Sequence, residues 1–94
     1  MSRIRFTRRF QRNLDDILSY ITQDSPVNAR RVTQDIRDSI GILEDFPSVG
    51  RNGSVEGTRE LVMVRSPYIV IYRFLVDIDE VQVLDVVHGA RDRN

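Results

Sequence analysis

The chain has 94 residues, which suffices for one domain (1–94) with a single core. There is no cysteine, so disulfides and thiolate metal sites are excluded, and a reducing, cytoplasmic setting is expected. Net charge is zero, which argues against strong sequence-independent binding to nucleic acid, and no apolar run approaches the ~18 residues of a membrane span.

Arg3–Phe6 alternates Arg-Ile-Arg-Phe, the period of a half-buried strand, with Ile4 and Phe6 expected to face the core. Thr7 can cap a helix. Phe10, Leu14, Ile17, Leu18 and Ile21 then form one apolar stripe on a helix of roughly 16 residues. Ser25 is a candidate cap for a second helix, and Pro26 suits its first position, where no N–H is needed. The second stripe is Ala29, Val32, Ile36, Ile40 and Leu43, with Phe46 behind it, and Pro47 is expected to end the helix. So short a join makes the two helices an antiparallel hairpin, and neither can bury its stripe alone.

Ser48–Gly57 reads as the one long loop, rich in Gly and Ser, with Arg51 inside it. After it the period changes to two. Arg59–Val64 reads as a strand, Ser66-Pro67 as a turn, Tyr68–Val76 as the central strand, Asp77–Asp79 as a turn and Glu80–His88 as the last strand. Such short joins predict an antiparallel meander. In the central strand Tyr68, Val70, Tyr72, Phe74 and Val76 share one face, and Ile69, Ile71, Arg73 and Leu75 the other. Both faces are mostly apolar, so both are covered or one is a binding surface. The expected fold is α+β, β-α-α-β-β-β, an antiparallel helical hairpin on a small, mainly antiparallel sheet.

Three fragments near the C-terminus, Gly57–Leu61, Ser66–Arg73 and His88–Arg91, set polar groups at the edges of these strands. A neutral imidazole at His88 can take a proton from a ribose hydroxyl while Arg91 holds a phosphate. A lone histidine hydrogen-bonded at a strand end is the plainer reading. Arg59 and Arg73, on neighbouring strands, can form a phosphate clamp, although Arg73 among apolar neighbours is expected to pair with an acid such as Asp85. Tyr68 and Tyr72 can stack on bases, but at alternating strand positions such residues are more often core. Asp77, Asp79 and Glu80 lack an EF-hand pattern, and no metal or cofactor is expected.

Taken together and in order, these residues resemble the ParE/RelE superfamily, toxins of bacterial type II toxin–antitoxin (plasmid stabilisation) modules. The resemblance rests on Leu14-Asp15-Asp16-Ile17, Tyr20-Ile21, Pro26 with Ala29, Leu43, Phe46-Pro47 and Gly50-Arg51. It continues through Thr58–Leu61, Pro67–Arg73 and His88–Arg91. It implies the same fold and a cognate ParD-like antitoxin, a ribbon-helix-helix protein whose C-terminal tail folds on binding, in a higher-order complex. It also implies one of two targets, DNA gyrase, poisoned by binding, or ribosome-bound mRNA, cut without metal. Ribonuclease members carry an Arg after the central-strand Tyr, where this chain has Ile69, and basic residues on the preceding strand, where it has Glu60, Val62 and Met63. The gyrase branch is therefore the expectation, with Arg51, Arg59, Tyr72, Arg73 and Arg91 as target-binding candidates. For the ribonuclease alternative the candidates are Arg59, His88 and Arg91. A third reading is an inactive homologue that only binds antitoxin.

Overall fold

A computed structural model describes residues 1–89. Strand β1 (Arg3–Phe6) leads into helix α1 (Arg8–Asp24), and α2 (Pro26–Ile42) follows after a single residue, Ser25. The strands β2 (Arg51–Asn52), β3 (Arg59–Val62), β4 (Tyr68–Leu75) and β5 (Glu80–His88) complete one five-stranded sheet, in the order β1-β5-β4-β3-β2. The α+β arrangement is the expected one, and β4 lies at its centre. β1 pairs with β5 in parallel, and every other pairing is antiparallel.

Local chemistry sets the helix starts. Thr7 Oγ1 accepts the Phe10 N–H at 3.1 Å, and Ser25 Oγ accepts the Asn28 N–H at 3.1 Å, each filling a donor that the first helical turn leaves unpaired. Both stripes then pack on one face of the sheet. Phe10, Val32, Ile36, Ile40 and Leu43 meet Val70, Tyr72, Val81, Val83 and Val86 in one cluster, with Leu14, Ile17, Leu18 and Ile21 packed around it.

Four expectations need correction. The loop Ser48–Gly57 contains a further strand, β2, only two residues long, which forms because Arg51 and Asn52 fall into register with Glu60 and Arg59. Helix α2 ends at Ile42, well before Pro47. Gly41 weakens the last turn, and Leu43 N–H bonds back to the Ile40 carbonyl in a tightened final loop. Phe46, carried out by this turn, is 64% exposed rather than core. Phe6 is likewise about half exposed, its ring stacked on Phe10 at 5.5 Å instead of being sunk in the interior.

A register shift between Ile71 and Tyr72 sets Tyr72 opposite Val83 but Ile71 opposite Asp85, leaving Leu84 as an extra residue in β5. This bulge lets Val83 and Val86, three residues apart, both enter the core. Without it, strict alternation would bring Asp85 inward in place of Val86.

Candidate functional site

The β2–β3 side of the sheet is held by a compact lock around Gly50. The Tyr72 side chain is fully buried, and its hydroxyl accepts the Gly50 N–H at 2.9 Å. A Cβ at Gly50 would lie 2.7 Å from the Tyr72 ring and 2.9 Å from the Glu60 carbonyl, so only glycine fits. Arg59 donates from Nη1 to the carbonyls of Gly50 (2.9 Å) and Ser48 (3.2 Å), tying the same segment to β3. Across β2, Arg51 Nε meets the buried carboxylate of Glu60 at 2.8 Å while the arginine itself stays exposed. The sequence reading missed Glu60 in this role. Its alternation within Arg59–Val62 was the available signal, because it places Glu60 on the face opposite Arg59.

Burial pushes the Tyr72 phenol above its ordinary value, opposed by the Gly50 hydrogen bond and the nearby Arg59 charge. The folded chain thus holds this proton longer than the unfolded chain does, so the stabilisation is whole below pH ~10 and declines as pH rises through the folded value. Melting temperatures taken from pH 8 to pH 11 are expected to fall above about pH 10, and more gently in Tyr72→Phe.

His88 closes the other end of β4. It pairs with Tyr68 in the strand register, and the two rings meet edge to face at 5.5 Å. The Gly89 N–H donates to the Pro67 carbonyl at 2.7 Å, fixing the chain as it leaves β5. A groove of about 580 Å³ opens here between α1 and β5, lined by Asn13, Asp16, Ile17, Tyr20, Tyr68, Val86, Val87 and His88.

The expected site residues therefore separate. Arg59 lies opposite Tyr72 and His88 opposite Tyr68, four residues apart along β4, about 13 Å by strand rise. Arg73 is exposed on the opposite face from Tyr72, so the Arg59–Arg73 clamp does not form. Nor does Arg73 pair with Asp85: its partner in register is Gln82, and Asp85 binds Arg9 at 3.2 Å and Asn13 at 2.6 Å on α1. Tyr72, expected as a target contact, is core instead. Arg51, expected inside a loop, is exposed on strand β2, and Arg91 lies outside the described residues. Among the described residues no group of three His, Cys, Asp or Glu is placed to hold a metal ion, and no helix is long and apolar enough to cross a membrane.

A helical hairpin laid on one face of this sheet order is the architecture of the RelE/ParE toxins. The chain aligns with the chromosomal ParDE toxin–antitoxin system of P. aeruginosa at TM-score 0.79 and 27% identity, covering 94% of this chain and 96% of that one. The family model for the ParE toxin of the type II toxin–antitoxin system parDE matches residues 4–93. The Sinorhizobium fredii protein Y4kP is 43% identical over 87 residues, 93% of this chain and 88% of that protein. Toxin RelE2 of Caulobacter vibrioides is 32% identical over 91 residues, 97% of this chain and 99% of that protein. The chain belongs to the ParE family of toxins of type II toxin–antitoxin systems.

Proposed function

We propose that this toxin acts by binding DNA gyrase and holding it on cleaved DNA, with no bond-making or bond-breaking step of its own. The separation of Arg59 from His88 carries the reading. General acid–base cleavage needs its groups within hydrogen-bond reach of one reacting centre, and these two stand four residues apart along β4, about 13 Å by strand rise. Arg59 is moreover committed to two backbone carbonyls. The match to the ParE family and to the ParDE system supports the same branch, together with a ParD-like antitoxin whose tail folds over the toxin. Purified toxin at micromolar concentration is expected to inhibit gyrase supercoiling and to accumulate cleaved DNA. Supercoiling unaffected by a folded sample would overturn the proposal.

The similarity to Toxin RelE2 motivates one alternative, ribosome-dependent cleavage of mRNA. That reading predicts cut message in a translating extract, lost in His88→Ala or Arg91→Ala. Normal growth of bacteria expressing the chain without its antitoxin would instead mark an inactive, antitoxin-binding homologue.

A further inference from the structure

The face of the sheet turned away from the helices carries an ordered group of arginines. Register pairing places Arg5 of β1, Gln82 of β5 and Arg73 of β4 in one row, and Arg3, Glu80 and Leu75 in the next. Residues paired across strands share a face, so these six side chains emerge together. Arg5 and Arg73 stand about 10 Å apart at Cα, two strand spacings, and Arg3 about 7 Å from Arg5.

Glu80 organises the group. It is 4% exposed, and its two oxygens are both engaged, Oε2 by Gln82 Nε2 at 3.0 Å and Oε1 by the Arg5 guanidinium at 3.9 Å. Its charge is thereby spent on Arg5. Arg3 and Arg73 are exposed, and neither belongs to an ion pair among the described residues. On the same face Glu60 and Asp85 flank Ile71 in the adjoining row, each already bonded, Glu60 to Arg51 and Asp85 to Arg9 and Asn13. Asp79, in the turn before β5, accepts the Ser2 hydroxyl at 2.5 Å. The zero net charge of the chain means that such a patch acts locally and by geometry, not through a long-range field.

Arginine favours phosphate because its planar fork donates two parallel hydrogen bonds. The choice between nucleic-acid forms comes from what the face lacks. Single strands are held by stacking exposed bases on aromatic rings beside the cations. The aromatic residues of the strands, Phe6, Tyr68, Tyr72 and Phe74, all belong to the helix-covered face. The open face offers guanidinium groups and aliphatic side chains, which suits a duplex whose bases are already stacked.

We propose that Arg3 and Arg73, flanking the Arg5–Glu80–Gln82 group on the open face of the sheet, form a phosphate-contacting patch for duplex DNA. The contact is to the backbone and carries no base readout. It goes beyond gyrase binding and is testable without gyrase present.

The test is fluorescence anisotropy of the full chain with a labelled duplex of about twenty base pairs, titrated at several salt concentrations. Salt-sensitive binding is expected. In Arg3→Ala/Arg73→Ala it should weaken roughly tenfold, with the salt slope reduced by about two. Both residues are exposed and outside the ion pairs, so the variant keeps its fold, which circular dichroism checks. Arg30→Ala, on the far surface of α2, should bind like the parent. No duplex binding at low salt overturns the proposal, as does an unchanged affinity in the double variant. Equal or tighter binding of a single strand, or a loss in the double variant of antitoxin affinity alone, assigns the patch to another ligand and overturns it as well.

Discussion

Gly50→Ala is expected to destabilise the fold by about 2–3 kcal/mol, the usual cost of forcing a methyl group into a packed site. Neither of the two groups it would strike can give way. The Tyr72 ring is fully buried at the centre of the sheet, and the Glu60 carbonyl belongs to the β3 backbone. Moving the Gly50 segment outward instead breaks the Tyr72 hydroxyl contact and the two carbonyl contacts to Arg59. For a domain of this size the loss corresponds to a melting temperature lower by roughly 10–20 °C. Tyr72→Phe alone leaves the buried Gly50 N–H without its acceptor, for a smaller loss of about 1–2 kcal/mol. Combining the two changes should recover only part of the alanine penalty, because the ring edge, Cε1, is as close as the hydroxyl. A thermal melt showing Gly50→Ala within a degree of the parent would refute this packing account.

The second large effect belongs to Asp85. Its Oδ1 accepts from the Asn13 amide at 2.6 Å and from the Val86 N–H at 2.8 Å, and its Oδ2 faces Arg9. Asp85→Ala strips a largely buried backbone donor and an amide of their acceptor at the point where α1 crosses β5, and should cost about 2–3 kcal/mol. Arg9→Ala should cost under about 1 kcal/mol, since that side chain is 77% exposed and its pair is screened by water. Arg73→Ala should change stability by no more than about 0.5 kcal/mol, as for other exposed positions. Chemical denaturation of the three variants separates this pattern from the Arg73–Asp85 pair that the sequence invites. Equal losses for Arg73→Ala and Asp85→Ala would favour that pair over the one seen here.

Much of the fold was legible where the chemistry is local. Thr7 and Ser25 declare the helix starts because a side-chain oxygen beside free N–H groups is a short-range matter. The stripe from Ala29 to Leu43 is buried as its spacing predicts, and Glu80–His88 is a strand at its expected bounds. The end of α2 was read wrongly because Pro47 is a loud signal, whereas a weakened turn at Gly41 is a quiet one. Strand β2 was missed because two residues carry no period of their own.

The site was less legible than the fold. Arg59, Tyr72 and His88 belong to one run of motifs but not to one site, because the register sets His88 beside Tyr68, four residues along β4 from Tyr72 and Arg59. Arg59 looked like a ligand clamp, yet it spends its donors on the backbone of its own chain. The bulge left a trace in the sequence, the Val83–Val86 spacing of three, but that spacing gains meaning only beside a partner strand.

Sequence alone determined the helices, the central strand, the α+β class and the family, since periodicity, caps and motif order are properties of neighbours along the chain. Tertiary structure decided which face of the sheet is covered, where Asp85 finds its partners and which arginines remain open. Those outcomes depend on strand register and on the two-residue period of the side chains, so one extra residue in β5 changes which groups meet.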